Sequence, residues 1–370
     1  MGNINIKLKN KLYLRSDLKI VLMRKHFTTS KYIKANTRKS IKVIRNNKKK
    51  RKYDPNKVPI YKNGKLENIE KPPVSAPVKL QLFKKTEDCV LFFNKLKNAN
   101  SINKIRKTCF IILDLSLVEI TDYSTVSVLI AIINDLKAKN IIVRGNYPEN
   151  TDCKNMFLES GLLNVMYDDF GKKFEKVKTS DFHFIENGSK KLTREDNKRI
   201  SETVKNVVEH LTGSRSHCIQ LRKILLEICG NSIEWGGAEN KQWLLAVKYE
   251  KDQAIFTVTD VGKGILNTLY KKFGQQISDY FFNSNVDVLM GAFEKKYGSR
   301  SKKANRNKGL PAIRNGFEEN VLCDLKVLTN NVILHFDNKN QSKEIKGKIN
   351  FGGTLYRWTV NKKSLNLNYE

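Results

Sequence analysis

Three short motifs in a fixed order constrain the fold of the C-terminal half of this chain more than any other feature. The first is an acid and an amide four residues apart, Glu227 and Asn231, within a helical pattern of apolar residues. The second is the run from Asp260 to Gly264, Asp-Val-Gly-Lys-Gly, which follows a strand pattern over residues 253–259. The third is the step Gly309-Leu310. Each motif alone fits a capped helix or a glycine turn, but the ordered set predicts a binding site.

The residue types in these motifs suit a nucleotide and a divalent cation. Glu227 and Asn231 are about one helical turn apart, so they share a face of the helix. The carbonyl oxygen of Asn231 is a hard ligand for Mg²⁺, and Glu227 could activate a water or a hydroxyl as a general base. The Asp260 carboxylate can accept a hydrogen bond from an adenine amino group, and Gly262 and Gly264 let the backbone approach a flat base closely. We therefore expect ATP and Mg²⁺ as cofactors.

With these motifs, residues from about 195 to 360 resemble the GHKL ATPase superfamily, which includes histidine kinase catalytic domains, gyrase-type ATPases and Hsp90-type chaperones. The resemblance implies that Asn231 binds Mg²⁺, that Asp260 binds adenine and that the segment around Gly309 surrounds the phosphates. Gly353-Thr354 resembles the Gly-Thr step before the last strand of the family. The nucleotide-binding residues implied in this way are Asp260, Gly262, Gly264, Lys308, Gly309, Leu310 and Thr354.

The segment between the two glycine motifs, residues 265–308, is long for a connection and carries nine Lys or Arg residues. One interpretation is a basic lid that closes over a triphosphate, and the alternative is a solvated loop. A helix that starts near Gly309 would add its N-terminal amides to anion binding.

Residues 78–175 predict a second, separate unit. A continuous apolar run over 109–114 indicates a buried strand, and residues 123–138 fit an amphipathic helix. A strand over 141–145 and a helix over 152–161 follow. Strand, helix, strand and helix in this order indicate an α/β layer with parallel strands.

This pattern resembles STAS-type domains, the fold of anti-sigma-factor antagonists. The similarity lies in residues 113–116 followed by residues 120–124. Ser124 falls near the serine that antagonists present to their kinases. The alternative, which we favour, is that Asp122 or Ser124 simply caps the following helix.

The N-terminal segment is strongly basic. Residues 1–71 hold 22 Lys or Arg and 4 Asp or Glu, which gives +18 of the chain's net charge of +32. Such a segment would attract a polyanion, so nucleic acid is one expected partner. The alternative is a solubilising tail. Prolines at 55, 59, 72, 73 and 77 indicate a linker after it.

The expected fold class is therefore α/β and α+β, in three segments: a partly disordered basic extension and linker over 1–77, a STAS-like α/β domain over 78–175, and a GHKL-type two-layer α/β sandwich over 185–370. Without an apolar run of about 18 residues or a signal-peptide core, we expect no transmembrane segment and a cytoplasmic location.

The preferred function is a nucleotide-driven regulatory switch that hydrolyses ATP slowly and engages a macromolecular partner through the STAS-like domain or the basic arm. One alternative is a serine/threonine protein kinase of the anti-sigma-factor type. Another is a non-catalytic nucleotide-binding scaffold that binds nucleic acid. A protein partner is expected, and a homodimer stays open.

Overall fold

The computed structural model describes residues 57–62, 65–70, 72–99, 110–175, 182–189, 192–235, 242–279, 284–297 and 309–365. These residues form a mixed α/β structure with eight α-helices and with both parallel and antiparallel sheets. Pro55 begins a compact unit that extends to Glu370. Two predicted features lie outside the described residues: the basic stretch 298–308, which includes Lys308, and the extension up to residue 56.

Parallel strands form the first layer of this unit. After an antiparallel hairpin of β1 (Lys57–Lys62) and β2 (Lys65–Glu70), a parallel sheet joins β3 (Val74–Ser75), β5 (Phe110–Asp114) and β7 (Ile142–Gly145) in the order β3-β5-β7. A second short parallel pair joins β4 (Lys79–Leu80) and β6 (Ile120–Thr121). The extension predicted to run through residue 77 thus contains three strands, and the last of them belongs to the parallel sheet.

Three helices accompany these strands: α1 (Thr86–Asn98), α2 (Tyr123–Ala138) and α3 (Thr151–Glu159). The side chain of Asp122 caps α2 by accepting a hydrogen bond from the Thr125 N–H at 2.8 Å. We predicted an amphipathic helix here, but 13 of the 16 residues of α2 are buried. A helix that is apolar on nearly all sides must be covered on nearly all sides, and α2 lies between two sheets. We refer to residues 72–175 as the parallel-sheet part.

The second sheet is antiparallel throughout, with seven strands in the order β13-β12-β11-β14-β10-β9-β8. Its longest strand, β14 (Phe351–Asn361), lies between β11 (Cys323–Asn330) and β10 (Gln253–Asp260). The remaining strands are β8 (Phe182–Ser189), β9 (Gln242–Glu250), β12 (Val332–His335) and β13 (Lys343–Glu344). We refer to residues 182–365 as the large-sheet part.

One face of the large sheet is covered by five helices: α4 (Arg194–Thr212), α5 (Ile219–Trp235), α6 (Ile265–Asp279), α7 (Asn285–Phe293) and α8 (Gly309–Glu318). Side chains that alternate along β10 and β14, such as Phe256 and Trp358, join these helices in one apolar core. The segment 265–308, which we interpreted as a lid or a loop, contains α6 and α7, and both contribute to this core.

The other face of the large sheet packs on the parallel-sheet part. Leu244, Leu328 and Leu355 of the sheet share a second apolar core with side chains of α1 and α2. The Thr257 hydroxyl of β10 also donates a hydrogen bond to Ser127 Oγ of α2 at 3.0 Å. The two predicted domains therefore share a core. The large sheet is covered by helices on one face and by the parallel-sheet part on the other, whereas a two-layer sandwich would be covered on one face only.

Among the described residues, no helix combines the length and apolar character that crossing a bilayer requires.

Candidate functional site

A buried carboxylate at the end of β10 is the centre of the candidate site. Asp260 is 3% exposed, and the alternation of β10 directs its side chain to the helix-covered face, as it does for Phe256 and Val258. Its Oδ1 accepts a hydrogen bond from the Gly262 N–H at 2.9 Å. The N–H and the hydroxyl of Thr354, which is paired with Asp260 across the sheet, donate to the same carboxyl group.

The titration of Asp260 reflects two opposing influences. Burial raises its pKa from 3.8 to about 6, because a charged group is disfavoured away from water. The hydrogen bonds from Gly262 and Thr354, and the positive charge of Lys97, act in the opposite direction. At neutral pH the group is a buried carboxylate, which is a strong hydrogen-bond acceptor.

The turn after Asp260 is held by two side chains from β11. The Thr329 hydroxyl oxygen accepts a hydrogen bond from the Ile265 N–H at 2.9 Å, and Asn330 Oδ1 accepts one from the Leu266 N–H at 3.0 Å. These bonds satisfy N–H groups at the start of α6 that lack partners within the helix. Gly264 has φ +78°, and a β-carbon there would lie 2.3 Å from Asn330 Oδ1, so glycine is required.

A second close approach joins the start of β14 to Asp260. Gly353 has φ +135°, and a β-carbon there would lie 2.1 Å from the Asp260 carbonyl oxygen. The Thr329 hydroxyl donates a hydrogen bond to the Gly353 carbonyl oxygen at 3.0 Å. The first glycine motif and the Gly-Thr step, which are far apart in sequence, therefore form one cluster.

Asn231 and Gly309 form a second cluster between α5 and α8. Asn231 is 8% exposed, and a β-carbon at Gly309 would lie 2.3 Å from its Oδ1. The Asn231 Nδ2 is buried and has no hydrogen-bond partner among the described residues. Its amide therefore has an unused polar end beside the first turn of α8, where backbone N–H groups lack helical partners.

A buried tryptophan adds another unused donor. Trp243 of β9 is paired with Asp260 across the sheet and belongs to the core on the helix-covered face. It is 2% exposed, and its Nε1 has no hydrogen-bond partner among the described residues.

The remaining predicted site residues differ in their placement. Glu227 is exposed on α5, one turn before Asn231. Leu310 is buried in the apolar core and supports α8 through packing. Ser124 is 4% exposed near the start of α2, and Asp122, not Ser124, caps that helix.

Three residues that adjoin Asp260 or its turn could not be predicted from the sequence: Thr329, Asn330 and Trp243. They belong to strands β9 and β11 and carry no local motif, so only the pairing of the sheet shows that they adjoin Asp260 or its turn.

Comparison of the chain with protein-family models, with curated proteins and with solved structures gives no match.

Proposed function

We propose that the large-sheet part binds ATP with Mg²⁺ and that the chain is a nucleotide-driven regulatory protein. The observation that carries this proposal is Asp260, a buried carboxylate at the end of a strand, next to a glycine turn and a Gly-Thr step. Burying a carboxylate is unfavourable unless hydrogen bonds compensate for the lost hydration. A ligand amino group, such as that of adenine, would supply one such bond.

The surroundings of Asp260 fit a flat base. The glycine turn over 261–264 allows close approach of the backbone, and Thr354 presents a hydroxyl beside the same carboxylate. The unpaired Nε1–H of Trp243 is a further donor on the same face of the sheet. The GHKL-type fold is proposed on this basis for residues 185–370, and the STAS-like fold for residues 78–175 on its parallel strands and its buried helix.

The surroundings of Asn231 fit the phosphate end of such a ligand. A half-turn of the amide exchanges its oxygen and nitrogen, so its unused end can present either a donor or a hard oxygen ligand. Mg²⁺ is commonly held by one or two protein groups together with waters and phosphate oxygens. Asn231 would be the protein ligand, the first turn of α8 would face the phosphates, and the bound cation would neutralise their charge.

Glu227 would be the general base in this arrangement. Its exposed position on α5 leaves it open to solvent, and one helical turn separates it from Asn231. Slow hydrolysis would suit a switch rather than a metabolic enzyme. The state of the nucleotide would then be transmitted to a partner of the parallel-sheet part or of the basic arm.

The exposure of Glu227 also favours a second function, a serine/threonine protein kinase, because an accessible base can activate the hydroxyl of another protein. Ser124 of this chain would not be the acceptor, because its side chain is buried. A substrate for such a kinase would have to be a separate protein.

Calorimetric titration with ATP in the presence and absence of Mg²⁺ tests the binding site. Asp260→Asn should weaken ATP binding by about tenfold to a hundredfold, since a hydrogen bond to a charged group contributes about 1.5–3 kcal/mol. Asp252→Asn is the matched control, because it makes the same charge change at an exposed turn between β9 and β10. Equal affinities of wild type and Asp260→Asn would contradict the assignment of the site.

A phosphate-release assay tests the catalytic step separately. Glu227→Gln should lower turnover by about 10²–10⁴-fold and leave ATP affinity nearly unchanged, whereas Glu319→Gln, an exposed control, should alter neither. Transfer of labelled phosphate to a purified partner protein, rather than to water, would identify the kinase instead of the switch.

A further inference from the structure

Three side chains of helix α1, in the parallel-sheet part, contact the segment that leads into Thr354. The Asn94 side chain donates a hydrogen bond to the Asn350 carbonyl oxygen at 2.9 Å. The Lys97 ammonium donates one to the Gly352 carbonyl oxygen at 2.5 Å and lies 4.8 Å from the centre of the Phe351 ring. Phe93 packs edge to face on Phe351, with ring centres 6.4 Å apart.

This segment is part of the candidate nucleotide site. Gly353 follows Gly352 and approaches the Asp260 carbonyl more closely than any side chain would allow. A β-carbon at Gly352 would lie 3.6 Å from the Gly262 carbonyl oxygen and 3.7 Å from Lys97 Nζ. The ammonium of Lys97 and the first glycine turn therefore both lie against the same short stretch of backbone.

The charges around Lys97 connect it with Asp260. The lysine side chain keeps some accessible surface, but protein surrounds its ammonium, and this burial lowers its pKa from 10.5 to about 8. The negative charges of Asp260 and of Asp135 on α2 oppose that shift, and Lys139 reinforces it. Lys97 is thus mainly a cation at neutral pH, and in return its charge favours the ionised form of Asp260.

We propose that Lys97 is a positioning residue of the nucleotide site, contributed by the parallel-sheet part, which holds the Gly352 carbonyl and directs its positive charge toward the Asp260 carboxylate. Docking of α1 on the large sheet then controls nucleotide affinity. This inference rests on the proposed function for its ligand, but the coupling between Lys97 and Asp260 can be measured without one.

The test is a carbon-13 NMR titration of the Asp260 carboxyl group in the full chain without nucleotide, assigned with Asp260→Asn. In wild type we expect a midpoint near pH 6. Lys97→Met should move it upward, since a cation near a carboxyl group lowers its pKa. Lys95→Met removes the same charge from an exposed position of the same helix and should leave the midpoint in place.

Lys97→Gln separates charge from hydrogen bonding, because it keeps a donor for the Gly352 carbonyl but removes the cation. Lys97→Gln should show the same upward shift of the Asp260 midpoint as Lys97→Met, with a smaller fall in melting temperature. It can replace Lys97→Met in the titration if that variant fails to fold. In parallel, calorimetry at pH 7 should give ATP affinities about tenfold weaker for both Lys97 variants than for Lys95→Met.

The outcomes separate the two proposals. An unmoved Asp260 midpoint in a folded Lys97 variant overturns the role of Lys97, whatever happens to ATP. A shifted midpoint in a protein that binds no ATP supports the coupling of the two residues but overturns the nucleotide site. A shifted midpoint with unchanged ATP affinity overturns the control of affinity by α1.

Discussion

Asn231 and Gly309 lie so close that a β-carbon at Gly309 would be 2.3 Å from Asn231 Oδ1. In the described part of the chain, two strands, β9 and β10, and two helices, α6 and α7, lie between their sequence motifs, yet the packing of α8 on α5 brings them together. The amide is buried, its Nδ2 has no hydrogen-bond partner within the part of the chain that the structure describes, and its position depends on the small residue beside it. A larger residue at position 309 should therefore displace the Asn231 amide, which allows a direct test of Asn231 as the Mg²⁺ ligand.

Gly309→Ala should displace the Asn231 amide and weaken ATP binding in Mg²⁺ by about tenfold or more, while affinity without Mg²⁺ changes little. Calorimetry with and without Mg²⁺ measures the difference. Gly274→Ala is the matched control, because a β-carbon at that helical glycine meets only open space. If Mg²⁺ raised the ATP affinity of wild type and of Gly309→Ala by the same factor, Asn231 would not be the metal ligand.

Asp260 should destabilise the fold at neutral pH. Its pKa is about 6 in the folded chain and 3.8 for an unperturbed group, so between these values the folded state binds more protons than the unfolded state. The free energy of unfolding should therefore fall as pH rises from about 4 to about 6 and stay low above that. The destabilisation amounts to at most about 3 kcal/mol at pH 7.

Asp260→Asn should accordingly raise the free energy of unfolding at pH 7, although it weakens ATP binding. Urea denaturation measured from pH 3.5 to pH 8 should show that the variant's gain in the free energy of unfolding over wild type is absent near pH 4. The gain should then grow as the pH rises to about 6. Asp252→Asn should follow the wild-type curve. A gain of equal size at every pH would mean that the Asp260 charge is not its cause.

Helices and strands could be predicted from the sequence where a motif or a periodic pattern of apolar residues lies within one continuous segment. The strand ending at Asp260, the helix over 123–138 and the helix beginning at Gly309 all occur in the structure. The parallel pairing of β5 with β7 was also correctly predicted, because alternating strands and helices favour it.

What the sequence could not predict depends on contacts between distant segments. Asn330 holds the glycine turn from β11, and Lys97 reaches the site from α1, yet neither residue lies in a recognisable pattern. The apolar sequence of α2 fits a helix that is buried on one face and also a helix that is buried on two opposite faces. The packing of both sheets on α2 shows that the second is correct.

The basic arm should bind polyanions independently of the nucleotide. Residues 1–54, which precede the compact unit, carry 18 Lys or Arg against 2 Asp or Glu. A chain that starts at Pro55 should lose most affinity for duplex DNA in fluorescence titrations and keep its ATP affinity. For the full chain, the logarithm of the affinity should fall with the logarithm of salt by about 0.9 per neutralised phosphate. Salt-independent binding, or binding that survives the truncation, would identify the arm as a solubilising tail.

The glycine pair before Thr354 provides a test of the backbone contact with Asp260. Gly353 has φ +135°, and its β-carbon would lie 2.1 Å from the Asp260 carbonyl oxygen, whereas a β-carbon at Gly352 meets its neighbours at ordinary distances. Gly353→Ala should therefore destabilise the fold by about 1–3 kcal/mol or more, because alanine is strained at that φ and must also push β14 from β10.

In a chain of this size, that loss corresponds to a fall in melting temperature of roughly 2–5 °C. Gly352→Ala should melt within a degree or two of wild type, as expected for a substitution without a clash. ATP affinity should fall in Gly353→Ala, because the strand that carries Thr354 moves away from the Asp260 carboxyl group. If both alanine variants melted and bound ATP alike, the close approach of Gly353 to Asp260 could not be what holds the two motifs together.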